Sequence, residues 1–355
     1  MRNPLLEKLG IDNAVIQGPM GGGPSTPELV SAVSNAGGLG SLGAAYMKAN
    51  EITSAIRRIK SLTSKPFAVN LFAGDYTAKP VPDPKPMLDL LGEIHARFGL
   101  PAPTIPTLPP DPFAAQLEAV LDASAPIFSF TFGVPDADAL ARLRARRVLT
   151  IGTATTVDEA KALAAAGVDA IVAQGAEAGA HRGTFAGAFE KSMVPTLDLV
   201  RGIRAAISAP VIASGGIMDG RDIRATLQAG ASAAALGTVF LASPECGAPE
   251  AHKKAVLAAK SDTTVITRAF SGRPARGLRN DFIAKLAGRE DIILPYPLQN
   301  MLTRAMRSAA AGRGEPGFLS LWAGTGVARA RSLPAGEMVR KLVEEMESPA
   351  AQSAD

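Results

Sequence analysis

The apolar residues of this 355-residue chain fall into short, nearly continuous runs separated by longer amphipathic stretches. Short apolar runs without alternation are typical of strands buried on both faces of a parallel sheet. Eight such runs predict strands: Ala14–Gln17, Leu39–Leu42, Phe67–Leu71, Ile127–Phe130, Val148–Gly152, Ala170–Gln174, Val211–Ala213 and Ala233–Leu236.

The stretches between these runs have helical periodicity and terminal signals of helices. Thr26 before Pro27 indicates a capped start, and Gly37, Gly167 and Gly230 each indicate a helix end. Seven helices are predicted: Pro27–Ala36, Glu51–Lys60, Ala114–Asp122, Asp136–Arg146, Val157–Ala166, Thr196–Ile207 and Gly220–Ala229. Strands alternating with helices eight times predict an α/β fold, a (β/α)8 TIM barrel. An open doubly wound sheet is the alternative, but eight regular repeats favour closure.

Two segments interrupt this repeat and define the predicted domains. The barrel would span residues 1–242, with a proline-rich insertion at 75–112 after the third strand. That insertion could form a semi-rigid lid over the strand ends, or a surface excursion without a role. Residues 243–321 predict a small helical or mixed cap domain, and residues 322–355 a return segment with a final helix.

Composition removes several classes of function. Lys+Arg 37 against Asp+Glu 33 gives a net charge of +4, and the charges are interspersed, so no nucleic-acid footprint is expected. The charged N-terminus is unlike a signal peptide, and no apolar run is long enough for a membrane span. We therefore expect a soluble cytoplasmic protein. A single cysteine, Cys246, excludes an internal disulfide and a multi-cysteine metal site, and no other metal-site spacing occurs.

The clearest chemical signal is the glycine-rich stretch from Gln174 to Gly183, which contains His181. It follows a predicted strand directly, and active sites of such barrels lie at the carboxyl ends of the strands. Histidine is suited to proton transfer near neutral pH, so His181 is the predicted catalytic residue. The other two histidines, His95 and His252, are predicted to lie at the surface.

Glycines at the ends of the last two strands predict a phosphate site. Ser214, Gly215 and Gly216 end the seventh strand, and Leu236, Gly237 and Thr238 end the eighth. Glycine lets backbone N–H groups approach an oxyanion, and the helix that begins near Gly220 could add positive charge.

Polar and glycine-rich positions at other strand ends suggest a flat heteroaromatic ligand. A loop after the first strand could pass under such a ring, and it contains Gln17, Gly18, Pro19 and Met20. Asn70 and Gln174 each end an apolar run, where a buried amide needs both donor and acceptor partners. A flavin ring would supply them.

These stretches together resemble the nitronate monooxygenase family, formerly called 2-nitropropane dioxygenases. The Ala-His-Arg-Gly sequence around His181 resembles the class I enzymes specifically. The resemblance covers most of the chain and is carried by Gln17–Gly22, Ser34–Gly40, Pro66–Leu71, Gln174–Gly183, Ile212–Ile217, Leu236–Thr238 and Tyr296–Asn300.

The resemblance implies FMN bound non-covalently at the carboxyl ends of the strands. Asn70, Gln174, Gly179, Gly216 and Ala235–Thr238 would contact it. His181 would be the base or would polarise the nitro group, and Tyr296 and Gln299 would lie near the substrate. The implied reaction oxidises an alkyl nitronate, such as propionate 3-nitronate, with O2 to a carbonyl compound and nitrite, without a nicotinamide cofactor. A homodimer is compatible with the resemblance.

Several alternatives stay open at this stage. His181 could act as a cation that stabilises a nitronate, or as a neutral base that removes a proton from a nitroalkane. Arg182 is predicted to face solvent. The same barrel could instead be an NAD(P)H-dependent quinone or enoyl-thioester reductase with FMN, or a flavin-free isomerase or lyase that binds a phosphate.

Overall fold

Eight parallel strands form one sheet in the computed structural model, which describes residues 3–74, 80–261 and 263–348. The strands of the protein are β1 (Val15–Gln17), β2 (Gly40–Gly43), β3 (Phe67–Phe72), β4 (Ile127–Thr131), β5 (Leu149–Ala154), β6 (Ala170–Gln174), β7 (Ala180–His181), β8 (Val211–Ser214), β9 (Ala233–Leu236), β10 (Thr264–Thr267) and β11 (Ala275–Leu278).

The large sheet has the order β1-β9-β8-β6-β5-β4-β3-β2, with every neighbouring pair parallel. Leu39, just before β2, bridges to Ile16 of β1 in parallel. The amide of Gln17 donates to the Leu39 carbonyl at 2.8 Å, and the amide of Leu39 donates to the Val15 carbonyl at 3.0 Å. These bonds join the two edges, so the sheet closes into the predicted (β/α)8 barrel.

The helices are α1 (Pro4–Leu9), α2 (Pro27–Asn35), α3 (Ala49–Leu62), α4 (Lys85–Phe98), α5 (Phe113–Asp122), α6 (Ala137–Ala145), α7 (Val157–Ala165), α8 (Thr196–Ala206), α9 (Gly220–Gln228), α10 (Glu250–Leu257), α11 (Asp281–Leu286), α12 (Leu298–Leu302), α13 (Arg304–Arg313) and α14 (Ala335–Glu347). The Thr26 hydroxyl accepts from the amide of Leu29 at 3.0 Å, which confirms the predicted cap of α2.

The core lies on both sides of the sheet, which explains why the strands have no polar face. Inside the barrel, side chains such as Ile16, Ile151 and Ile212 pack with Leu5 and Leu9 of α1. α1 therefore covers the end of the barrel opposite the carboxyl ends of the strands. A larger apolar layer lies between the sheet, the surrounding helices and the segment after β9.

The eighth helix of the barrel is supplied from the far end of the chain. α14 packs against α9 and α2, where a repeat directly after β9 would otherwise place its helix. Gly220 makes this close packing possible, because a Cβ there would lie 2.1 Å from the amide nitrogen of Met346. The guanidinium of Arg224 donates to the carbonyls of Glu345 and Met346 at 2.8 and 2.9 Å.

The segment between β9 and α14 forms a cap over the carboxyl ends of the strands. It contains α10 to α13 and the antiparallel hairpin of β10 and β11. β11 also pairs with β7, with Ala275 opposite His181. The cap is thus joined by backbone hydrogen bonds to the loop that carries the predicted catalytic histidine. The predicted domain bounds at 243–321 and 322–355 stay predictions, and residues 349–355 lie outside the described residues.

Within its described part, residues 80–112, the insertion at 75–112 contributes no residue to the lining of the cavity at the barrel mouth; residues 75–79 lie outside the described residues. α4 instead packs on α13, where Arg97 forms an ion pair with Glu315 at 2.5 Å. Arg313 donates to the Phe98 carbonyl at 2.8 Å, and the Phe98 ring meets Phe318 edge-on at 5.4 Å between centroids. The prolines of this segment predicted an irregular chain, but α4 packs its apolar face against α13 of the cap. The insertion therefore supports the cap from outside.

Candidate active site

A cavity of about 600 Å³ opens at the carboxyl ends of the barrel strands, between the barrel and the cap. Its floor is formed by inward-facing side chains of the barrel, including Ile16, Ile151 and Ile212. Most of the predicted cofactor-binding residues line it: Gly18, Pro19, Met20, Asn70, Gln174, Gly179, Ser214, Gly215, Gly216, Ala235, Leu236, Gly237 and Thr238. The closed barrel brings these positions together although they are spread over 220 residues of sequence.

The loops after β8 and β9 present bare backbone to the cavity. Gly215 and Gly216 have φ values of 125° and 72°, which other residues adopt only with strain. A Cβ on Gly237 would meet nothing within 4 Å. Within the described part of the chain, the amides of Gly216 and Gly237 donate no hydrogen bond. Two free N–H groups in the lining of one cavity fit an oxyanion such as a phosphate.

The helix after β8 does not contribute to this site, contrary to the sequence prediction. Asp219 caps α9 and accepts from the amides of Arg221 and Asp222 at 3.0 Å. The amide of Gly220 donates to Glu345 at 3.1 Å. Protein carboxylates therefore already occupy this helix end, and the glycine loops alone face the cavity.

The two predicted amides have defined partners at the cavity wall. Nδ2 of Asn70 donates to the Ser129 hydroxyl at 3.0 Å. Nε2 of Gln174 donates to the carbonyl of His181 at 3.1 Å, and its Oε1 accepts from the amide of Gly183 at 2.7 Å. Gln174 thus holds both sides of the His181 loop, in addition to lining the cavity.

Three other predicted site residues do not line the cavity. Oε1 of Gln17 accepts from the amide of Ser41 at 2.9 Å, and its Nε2 donates to Ser25. Gln299 is fully buried; it accepts from Leu294 at 3.2 Å and donates to the Ala269 carbonyl at 2.7 Å. Both glutamines hold loops in place from behind the wall.

Tyr296 is the third of these residues, and it packs beside His181, the predicted catalytic residue. Its side chain is 2% exposed, and its ring meets the rings of His181 and Phe132 at 6.1 and 6.2 Å between centroids. Tyr296 therefore supports the aromatic surroundings of His181.

His181 lies in the cavity, surrounded by aromatic rings. Trp322 is 5.6 Å away and Phe132 is 6.0 Å away between centroids. Burial, together with the positive charges of Arg273 and Arg307, lowers the pKa of His181 from 6.5 to about 3. The imidazole is therefore neutral at neutral pH before any anion enters. This favours the neutral base over the cationic form that the sequence left open.

Ser271, a residue that the sequence did not single out, fixes the orientation of the imidazole. Its Oγ lies 2.8 Å from Nε2 of His181 and 3.1 Å from the carbonyl of Arg273. A carbonyl can only accept, so the single hydroxyl proton of Ser271 is directed to Arg273. We therefore assign the proton of the neutral imidazole to Nε2, which leaves Nδ1 as the nitrogen that can accept a proton.

Two non-glycine residues of the cavity wall adopt left-handed backbone conformations. Ala180, next to His181, has a φ of 61°, and Phe132 has a φ of 76°. Such strain is retained where the surroundings enforce it, often at functional sites. The Arg273 guanidinium lies over the Phe132 ring, 3.8 Å from its centroid, and stabilises this part of the wall.

The prediction that Arg182 faces solvent is wrong. Arg182 is 1% exposed and donates to the carbonyls of Gly175, Gln174 and Ser192 at 2.6 to 2.9 Å. Its side chain turns under the loop, where it bonds to two carbonyls at the end of β6 and to the Ser192 carbonyl. Arg182 is a structural residue that shapes the loop carrying His181.

The other two histidines are buried, and the surface prediction for both is wrong. Nδ1 of His95 donates to the Pro101 carbonyl at 2.7 Å, which ties α4 to the chain that follows it. His252 is 6% exposed, lines the cavity, and has Nε2 3.2 Å from the Trp322 carbonyl. Burial lowers the pKa of His252 to about 4. Charged neighbours along the sequence concealed that both histidines face the core.

Two expectations about other classes of site can be examined within the described ranges. No group of three or more His, Cys, Asp or Glu side chains there could hold a metal ion. Over the same ranges, no helix is both long and apolar enough to cross a bilayer. Cys246 is a buried thiol.

Known proteins resemble this chain over nearly its whole length. A family model described as nitronate monooxygenase matches residues 2–345. The chain belongs to the nitronate monooxygenase family. It is 39% identical to a probable nitronate monooxygenase of Staphylococcus aureus strain Newman over 349 residues, covering 97% of both chains. It is 37% identical to that of Staphylococcus haemolyticus, covering 98% of this chain and 97% of the relative.

Two solved structures resemble this chain over nearly their whole length. A nitroalkane oxidase from Streptomyces ansochromogenes has a TM-score of 0.88 at 41% identity and covers 97% of both chains. FabK from Thermotoga maritima has a TM-score of 0.76 at 26% identity and covers 98% of this chain and 96% of its own. The nitronate monooxygenase family and its barrel fold, both expected from the sequence, are confirmed, and the protein is an oxidoreductase.

Proposed function

We propose that this member of the nitronate monooxygenase family binds FMN in the cavity and oxidises alkyl nitronates with O2 to a carbonyl compound and nitrite. The observation that carries the proposal is the geometry of the cavity. Backbone amides without partners, amide side chains and a neutral histidine converge there on one space of about 600 Å³. When bound, FMN supplies the redox chemistry, accepting electrons from the substrate and passing them to O2.

The residues present fit FMN. Gly216 and Gly237 line the cavity with amides that donate no hydrogen bond to a described residue, and these amides would hold the phosphate. Gly18 and Met20 at the end of β1 would support one face of the flavin ring, while Asn70 and Gln174 would bond to its edge. Each of these residues lines the cavity.

His181 would hold the substrate and move its proton. Its Nδ1 would accept the α-proton of a neutral nitroalkane, because Nε2 already donates to Ser271. A bound nitronate or phosphate brings negative charge into the cavity, which opposes the depression of the pKa of His181 by Arg273 and Arg307. A neutral nitroalkane adds no charge, so a rise in the pKa of His181 before the proton moves would come from the phosphate.

The experiment that tests this role replaces His181 by Asn, which keeps a polar side chain of similar size. We expect His181→Asn to retain bound FMN and its yellow colour, and to lose at least about 100-fold in kcat for neutral nitroalkanes. Preformed nitronates need no proton abstraction and should be affected less. Equal turnover of neutral nitroalkanes by the variant and the native enzyme would remove His181 from the mechanism. Loss of FMN from the variant would place the residue in cofactor binding instead.

A further inference from the structure

The inward-facing side chains of the barrel form two layers at the bottom of the cavity. Residues two apart on a strand point to the same face of the sheet. The upper layer, at the carboxyl ends of six strands, consists of polar residues and glycines: Gly18, Asn70, Thr153, Gln174, Ser214 and Gly237. The lower layer lies two residues earlier on each of the same strands and is entirely apolar: Ile16, Ala68, Ile151, Val172, Ile212 and Ala235. Both layers line the cavity, so the cavity extends past the polar groups into the barrel interior.

The interior is open at the lower layer because the upper layer is too small to fill it. Bulky branched side chains normally fill the interior of such barrels. Here Gly18, Ser214 and Gly237 add little or no side chain, and a Cβ on Gly237 would meet nothing within 4 Å. Val172 points into the barrel and yet is only half-buried. Since α1 closes the opposite end of the barrel, the exposed surface of Val172 faces an apolar recess in the floor of the cavity.

The chemistry of this recess favours a small apolar ligand. A bound water molecule needs two to four polar partners, and the side chains of the lower layer offer none. The strands on either side of Val172 pair with β6 through their backbones, at Thr153 and at Ile212. Enclosed apolar sites of this kind bind gases such as xenon. Of the two substrates of the proposed reaction, O2 is the small and apolar one.

The recess also lies where an oxidant is needed. Asn70, Gln174 and Gly18 of the upper layer are the residues that would contact the flavin ring, and the lower layer is directly beneath them. His181 belongs to the loop above the upper layer, which is joined to the cap through β11. The recess and the histidine are therefore on opposite sides of the upper layer.

We propose that the recess beside Val172 binds O2 on the barrel side of the cavity, separately from the nitronate at His181. This inference rests on the proposed function, in which O2 is the oxidant. It assigns the apolar lower layer of the barrel to the second substrate.

Xenon, an apolar atom that marks sites for small gases, tests the recess without turnover. In crystals of the FMN-loaded protein under xenon pressure, we expect xenon in contact with the side chains of Val172, Ile151 and Ile212. Val172→Ile adds one methyl group to the recess and should lower the xenon occupancy at least about 3-fold. Val168→Ile makes the same change two residues before β6, away from the cavity, and should leave the occupancy unchanged. Absence of xenon from the lower layer would overturn the proposal.

A kinetic measurement tests whether O2 uses the same recess. The FMN-loaded protein is photoreduced without substrate and mixed with oxygenated buffer, and the return of the flavin absorbance is followed. We expect Val172→Ile to lower the second-order rate constant for O2 by roughly 3- to 10-fold and to leave KM for ethyl nitronate unchanged. An unchanged rate constant, together with a higher KM for butyl than for ethyl nitronate in the variant, would assign the recess to the substrate tail and overturn the proposal.

Ile151→Val provides a second variant in case Val172→Ile does not fold. It removes a methyl group from the recess, so we expect a higher xenon occupancy and no fall in the rate constant for O2. Ile171→Val, whose side chain packs outside the barrel, is the matched control and should change neither value. Equal xenon occupancies in Ile151→Val and Ile171→Val would contradict the recess.

Failure of this inference can be distinguished from failure of the proposed function. Nitronate oxidation by a protein that takes up no xenon at Val172 would overturn the O2 site alone. Xenon at Val172 and slower reaction of Val172→Ile with O2, in a protein that oxidises no nitronate, would support the O2 site and contradict the proposed reaction.

Discussion

Acid should destabilise the protein through His252, and the size of this effect can be worked out from its surroundings. His252 is 6% exposed, and burial is the largest cause of the fall of its pKa from 6.5 to about 4. In the unfolded chain the pKa returns to its ordinary value. Between these two values the unfolded chain binds more protons than the native protein, so the free energy of unfolding falls as the pH falls.

A shift of about 2.5 pKa units corresponds to roughly 3 kcal/mol once both states are titrated. At pH 5 most of it is expressed, about 2 kcal/mol relative to pH 7.5. His181 acts in the same direction, since its pKa is also depressed, to about 3. The contribution of His252 must therefore be isolated by comparing two proteins at each pH.

The variant His252→Gln keeps a side-chain N–H donor for the Trp322 carbonyl but does not titrate. Urea unfolding of both proteins, followed by Trp322 fluorescence at one fixed excess of FMN, gives the free energy of unfolding at pH 7.5 and at pH 5. We expect the difference between the two proteins to change by about 2 kcal/mol in favour of the variant at pH 5. Lys254→Gln, an exposed change on the same helix, should follow the native protein. Parallel pH dependences of His252→Gln and the native protein would refute the reasoning.

Three further substitutions test the structural account of the site. Ser271→Ala should lower kcat about 10-fold by releasing the tautomer of His181, and Ser271→Thr should restore activity; an unchanged kcat and pH profile would contradict this. Gly179→Ala would bring a Cβ within 2.6 Å of the backbone at Ala323, so we expect a loss of about 1–3 kcal/mol and of bound flavin, measured by thermal unfolding and absorbance; native values of both would contradict the close contact. Arg182→Met leaves three buried carbonyls without a donor and should cost about 2–4 kcal/mol, so a native melting temperature would contradict a structural role.

The barrel could be predicted from the sequence because its signals are local. Each strand buries both faces, so it appears in the sequence as a continuous apolar run. A glycine that directly follows such a run can be assigned to the end of a strand without knowledge of the tertiary structure. The position of His181 followed from the same rule, since parallel strands place all their carboxyl ends at one side of the barrel. The loop glycines Gly216 and Gly237 were found for that reason.

Residues whose role depends on contacts distant in sequence could not be found in this way. Ser271 meets His181 because β11 pairs with β7, and no local pattern predicts that pairing. Arg307 lies on α13, whose sequence is typical of a polar surface helix. The polar face of α13 in fact lines the cavity. His252 was misassigned for the related reason that charged neighbours surround a residue facing the core. Propensity and spacing describe an element, whereas the partner of each face is set by tertiary packing.

The measurement that tests the central proposal most directly is oxygen uptake by the FMN-loaded protein on an alkyl nitronate, with NADH and NADPH absent. The account predicts rapid O2 consumption accompanied by nitrite release. It would be contradicted by a correctly loaded yellow protein that consumes no O2 with any nitronate and whose flavin is instead bleached by NADH or NADPH under anaerobic conditions. That result would assign the barrel to a nicotinamide-dependent reductase.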